Sequence, residues 1–107
     1  MFRILFLFVL SATPFIEAHA KNIQHVGRVT DIFSEANIFR FRICTSTNDC
    51  KTFWLKTDSD NNKAVFSLLL TAKTTGNVIW IMGSDGFSSD WPYYGSYKYS
   101  AMHLKNK

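Results

Sequence analysis

At 107 residues the chain is long enough for one domain, and near the small end for a stable core once a leader is set aside. Its formal net charge is +4, with basic residues scattered along the chain. That favours solubility and a mild attraction to anionic surfaces, but it is too weak and dispersed to mark a nucleic-acid binder.

Residues 1–20 read as a secretory leader. Arg3 gives the charged start, Ile4 to Leu10 the apolar stretch, and Ala18-His19-Ala20 a small-x-small cleavage site. The apolar run is too short to span a bilayer, and no second one follows it. The expectation is an exported protein, periplasmic or secreted, whose single domain is 21–107 and which has no membrane span. Cys44 and Cys50 are the only cysteines. In an oxidising compartment so close a pair reads as a disulfide. The C-x5-C spacing, with no second pair of ligands, argues against a metal or redox centre, so no metal or cofactor is expected.

Asn22 to Phe33 reads as a first strand, with Gly27 marking a bulge or the close approach of another backbone. Ser34 to Asn37 is a turn. Ile38 to Cys44 alternates, with Phe39, Phe41 and Ile43 inward and Arg40 and Arg42 outward, so the two strands make a hairpin. Thr45 to Asp49 is the loop under the disulfide. Lys51 to Thr57 is a third strand, with Phe53 and Leu55 on its apolar face and Trp54 pointing the other way.

Asn61 to Gly76 is the one run long enough and free enough of breakers for a helix. Asp58 to Asn62 offer side chains that accept hydrogen bonds from orphan N–H groups, and Gly76 tolerates a left-handed cap. Val65, Leu68, Leu69 and Ala72 form a core-facing stripe, flanked by Phe66 and Leu70. So wide an apolar face fits a helix sunk against its own sheet. It equally fits one that also meets a neighbouring subunit through Phe66, Leu70 and Lys73. Asn77 to Met82, apolar on both faces, reads as a buried strand. Gly83 to Gly95 is a long loop of turn formers and aromatics. Ser96 to Lys105 is the last strand, with Tyr97, Tyr99, Ala101 and His103 on one side and Ser100, Met102 and Leu104 on the other.

The expected fold is mainly β with one helix: a five-stranded OB-fold barrel, the helix between strands 3 and 4. Such barrels bind oligosaccharides or oligonucleotides on one face and its rim loops. The alternative is a small open α+β sheet.

VGRVTDIF, a two-cysteine hairpin and FWLKTDSDNNKAVFSLLLTAKTTGNVIWI follow one another in this chain. The arrangement resembles small exported bacterial proteins similar to the B subunits of subtilase-cytotoxin and pertussis-like toxins. It is most specific from Lys63 to Ile81. The resemblance implies an OB fold, a ring of five subunits with helices towards the central pore, host glycans as ligands, and a separate toxin A-type subunit as partner. The chain is shorter than those proteins, with one cysteine pair and no matching glycan-site pattern, so no sugar-contact residue is carried over.

Enzyme chemistry has no motif here. His25 and His103 lie in no nucleophile pattern, and spacing pairs none of Asp31, Glu35, Asp85 and Asp90; a non-enzyme is expected. The Gly83–Gly95 loop is the most suggestive site. Trp91, Tyr93 and Tyr94 present flat apolar faces with polar edges, and Ser88, Ser89 and Asp90 present hydroxyls and acceptors, which together match the C–H faces and hydroxyl edges of a sugar. The competing account has these aromatics covering the barrel end or lining a subunit interface, where Trp and Tyr are also enriched. Asp85 and Asp90 with serines do not fit an EF-hand calcium loop. Arg28, Arg40 and Arg42 with Trp54 and Lys56 could form a basic aromatic face for single strands. Charged strands that resist aggregation explain those arginines more simply. The expected function is a secreted binding subunit recognising glycans within a homo-oligomeric, pentameric ring. The alternative is an interaction protein that binds a protein partner and no sugar.

Overall fold

The computed structural model describes residues 22–105. The leader read at 1–20 lies outside the described residues, as does the polar end at 106–107. Five strands and one helix follow in the order β1 (Ile23–Glu35), β2 (Ile38–Cys44), β3 (Cys50–Leu55), α1 (Asp60–Thr75), β4 (Ile79–Ser88) and β5 (Ser96–Leu104). The architecture is thus mainly β with one helix between the third and fourth strands.

Long β1 serves two partners. Its first half pairs antiparallel with β4, from Ile23↔Gly83 to Gly27↔Ile79. Its second half pairs antiparallel with β2, from Arg28↔Cys44 to Glu35↔Ile38. A register shift between Val29 and Asp31 marks a bulge at the handover, where added twist turns the strand from one neighbour to the other. Gly27 lies just before that turn, and its hydrogen in place of a Cβ lets the backbone of Cys44 come close. β2 pairs β3 from Phe39↔Leu55 to Cys44↔Cys50, and β4 pairs β5 along most of their lengths. The circuit closes through β3 and β5, which run parallel and pair only at Phe53↔Tyr97 and Trp54↔Lys98. Each strand therefore has two neighbours, in the closed order β1-β2-β3-β5-β4.

The interior follows from the strand period. Val29, Phe41, Ile43, Phe53, Leu55, Ile79 and Ile81 are buried together. Helix α1 covers them with Val65, Leu69 and Ala72. It starts where Ser59, in extended backbone, accepts the Asn62 N–H on its Oγ at 3.1 Å. It stops where Gly76, in left-handed backbone at φ 74°, gives its N–H to the Ala72 carbonyl. Cys44 and Cys50 face each other across β2 and β3 and are joined as a disulfide.

Several expectations need correction. Leu68 is 41% exposed, because α1 meets the barrel along the narrow line of Val65, Leu69 and Ala72. Phe39 is only half-buried; it stacks on Phe66 of the covering helix with ring centroids 4.1 Å apart. The first turn is shorter than expected: β1 runs on through Ser34 and Glu35, leaving Ala36 and Asn37 between paired Glu35 and Ile38. The fourth strand is not apolar on two buried faces, since Ile79 and Ile81 are buried while Trp80 and Met82 are half-buried. Nor does it end at Met82. It continues to Ser88 by pairing Phe87 with Tyr97 and Ser88 with Ser96. Gly83 is a packing residue in that strand, for an added Cβ would lie 2.8 Å from both the Phe53 ring and the Tyr97 Cβ. In β5, Met82 pairs Ala101 while Gly83 pairs Tyr99, so Ser100 is an extra residue. That bulge reverses the alternation, and Tyr97, Tyr99 and then Met102 pack on the core while His103 is exposed.

Candidate functional site

With β4 extended, the aromatic loop shrinks to 89–95. It is pinned at both ends. The Gly95 N–H donates to the Ser88 carbonyl at 2.8 Å, and the Tyr93 N–H to the Asp90 carbonyl at 2.8 Å. The Asp90 N–H also donates to Ser88 Oγ at 3.2 Å, and the buried Ser96 hydroxyl donates to the Tyr93 carbonyl. These bonds satisfy backbone groups that a tight loop would otherwise leave to water.

The loop's side chains divide into anchors and open groups. Tyr93 is half-buried against Trp54 of β3, with ring centroids 4.5 Å apart. Tyr94 lies beneath the Arg40 guanidinium, 4.9 Å from its ring centroid, and Arg40 Nη1 donates to the Tyr94 carbonyl at 3.3 Å. Arg40 is itself fixed by Glu35, to whose Oε1 its Nε donates at 2.7 Å. Trp91 is 63% exposed, and Ser89 and Asp90 beside it are exposed as well. Tyr94 keeps 43% of its surface open despite the arginine, and Phe87 at the end of β4 is 61% exposed. Of the expected set, then, Trp91, Tyr94, Ser89 and Asp90 stand open, Tyr93 is an anchor, and Ser88 shapes the turn.

Beside this loop lies a groove that sequence reasoning did not delimit. It has a volume of about 450 Å³ and is lined by residues of β3, the β3–α1 connection, the first turn of α1 and β5, among them Trp54, Lys56, Asn61, Tyr99 and Ser100. Its origin is topological. β3 and β5 stop pairing at Trp54↔Lys98, and the residues that would come next, Leu55 and Lys56 against Tyr99 and Ser100, become facing walls. The Lys98 ammonium lies 5.8 Å from the Trp54 ring centroid. Burial pushes the Tyr99 phenol above its ordinary pKa of 10.0, so it is held as a neutral hydroxyl. Asn62 Nδ2 donates to the Lys56 carbonyl at 2.7 Å, tying the connection to the helix start. A second hollow, of about 440 Å³, shares Lys56 and Asp58 with the first and extends to the β1–β2 turn at Ala36 and Asn37. Trp54 pointing outward from its strand and the polar run 58–62 were the signals in the sequence. Only the strand order shows that they meet β5.

Each arginine of the expected basic strand face has a partner within the domain. Arg28 Nε donates to the Gly76 carbonyl at 2.8 Å, Arg40 pairs with Glu35, and Arg42 lies 3.4 Å from Asp31. His25 is buried, with Nε2 2.8 Å from the Asp49 carbonyl, and His103 packs its ring against Trp80 at 4.9 Å. Among the described residues, no three of His, Cys, Asp and Glu converge as a metal site would require. No helix among them is long and apolar enough to cross a membrane. On α1, Leu70 and Lys73 are exposed, whereas Phe66 is partly taken up by its own domain through Phe39. Neither a protein-family model nor a curated protein matches this chain.

Proposed function

We propose that this protein is an exported, non-enzymatic binding module with an OB-type barrel, and that it recognises carbohydrate through the loop between β4 and β5. The observation that carries this is Trp91. A large aromatic ring stands 63% exposed on a loop whose backbone is bonded at both ends, with Ser89 and Asp90 open beside it. Burying such a ring in the isolated domain would stabilise it by a few kcal/mol, on the order of the gain for other large apolar side chains, so leaving it in water is informative. A sugar ring can stack its C–H face there and share hydroxyls with the neighbouring acceptors. Preorganisation by the Arg40–Tyr94 and Trp54–Tyr93 contacts reduces the ordering cost of binding.

The barrel order β1-β2-β3-β5-β4 with α1 between β3 and β4 supports the OB reading. The disulfide agrees with an oxidising compartment. Assembly into a homo-oligomer, a pentameric ring in the proposal, would use the exposed Leu70 and Lys73 of α1, and delivery of a separate toxin-type subunit would follow from such a ring. The test is a broad glycan array read with wild type and Trp91→Ala. The expected result is a set of bound glycans lost in a variant whose thermal midpoint is unchanged. Array-wide silence from the wild type would overturn the carbohydrate reading.

Phe87 favours a second reading. It is 61% exposed and has no hydrogen-bonding group for a hydroxylated ligand. A protein partner covering Phe87 and Trp91 together would bury both, and co-purification with a defined partner protected at these residues would support it.

A further inference from the structure

We propose that the groove between β3 and β5 is a second sugar subsite contiguous with the loop, so that the ligand is an oligosaccharide rather than a single sugar. The inference rests on the carbohydrate reading above and extends it from the β4–β5 loop to the open seam between β3 and β5. Three observations carry it.

The first is continuity. Tyr93 of the loop and Trp54 of the groove wall touch, with ring centroids 4.5 Å apart, so the two places share one aromatic partition. The second is chemistry. Besides Trp54 the groove is lined by Tyr99, Ser100, Asn61 and Lys56, residues that carry a phenol, a hydroxyl, an amide and an ammonium. These are donors and acceptors of the kinds that pair with ring hydroxyls, set beside an apolar wall for C–H contact. The third is size. About 450 Å³ falls in the range of small-ligand sites, larger than one water or ion requires. The pairing gap that makes the groove is a property of the barrel and does not depend on the loop.

The experiment uses the three tryptophans, Trp54, Trp80 and Trp91. The labelled wild-type protein is titrated with the tightest-binding array oligosaccharide and, separately, with the monosaccharide at its non-reducing end, while the indole N–H resonances are followed. Trp80, packed against His103 and lining neither subsite, is the internal reference. The expected result is that the oligosaccharide moves both Trp54 and Trp91 while the monosaccharide moves one of them. Lys56→Ala and Asn61→Ala should each weaken the oligosaccharide roughly tenfold and leave the monosaccharide within about twofold. If the oligosaccharide moves Trp91 alone and both groove variants bind it like the wild type, the second subsite is wrong while the loop reading survives. If Trp54 moves and Trp91→Ala binds normally, the groove acts alone and the two-subsite proposal fails. Should a variant misfold, the wild-type titration still decides.

Discussion

Gly27 on β1 and the carbonyl of Cys44 on β2 approach so closely that a Cβ added at Gly27 would stand 2.3 Å from the Cys44 oxygen. The obstacle is backbone, which cannot swing aside as the end of a side chain can. Gly27→Ala should therefore destabilise the protein by about 1–3 kcal/mol, the usual cost of overpacking. Urea denaturation measures it, and a midpoint equal to wild type would show that β1 and β2 separate freely at this point.

The helix caps are separable. Ser59→Ala removes the acceptor for the Asn62 N–H and should cost about 1 kcal/mol. Gly76→Ala leaves space for its methyl but forces a left-handed alanine, for about 1–2 kcal/mol. Because the caps lie at opposite ends of α1 with no shared partner, the double variant should lose the sum. Denaturation of all three variants reads this directly.

Removing the disulfide with Cys44→Ser and Cys50→Ser together should cost about 2 kcal/mol on the chain-entropy estimate for a loop this short. The barrel should survive, since β2 and β3 remain paired from Phe39↔Leu55 onwards. Retained near-ultraviolet circular dichroism with a lowered thermal midpoint is the expected pair of observations. Loss of both signals would make the crosslink essential to folding.

Tyr99 supplies a pH dependence with a definite sign. Burial raises its folded pKa above 10.0, so the folded state holds the proton more tightly than the unfolded chain. Its contribution is whole below pH 10.0 and is lost as pH rises through the raised value. Tyr99→Phe should flatten the decline of the thermal midpoint above about pH 10 relative to wild type. Parallel declines in the two proteins would place this phenol in open solvent.

What the sequence disclosed depended on how local the cause was. Ser59 and Gly76 act through bonds within a few residues, and both ends of α1 were readable within a residue or two. The inward Phe41 and Ile43 and the Cys44–Cys50 pair also follow from short-range pattern. The tail of β4 did not. Gly83 and the serines after it look like turn formers, and only pairing with β5 makes them strand. Ser100 carries no mark of its bulge, which arises from fitting β5 to β4 and which decides that Met102, not His103, faces the core. Leu68 had the spacing of a buried residue, but the barrel offers α1 only a narrow line of contact.

The candidate site divides in the same way. Trp91, Ser89 and Asp90 could be chosen from composition because they lie in one loop. The Lys56–Ser100 groove joins side chains more than forty positions apart, across strands that meet for two residues. No window of sequence contains both walls.

That brief parallel contact has a mechanical consequence. Four of the five joints around the cylinder are long antiparallel ladders, whereas the fifth is a clasp of two rungs. A hoop closed in this way widens at its clasp before any hairpin yields. Amide exchange at whichever of Tyr97 and Lys98 turns its N–H towards β3 should then outpace exchange in the middle of β2, and an occupant lodged across the clasp should slow it by bracing the hoop shut.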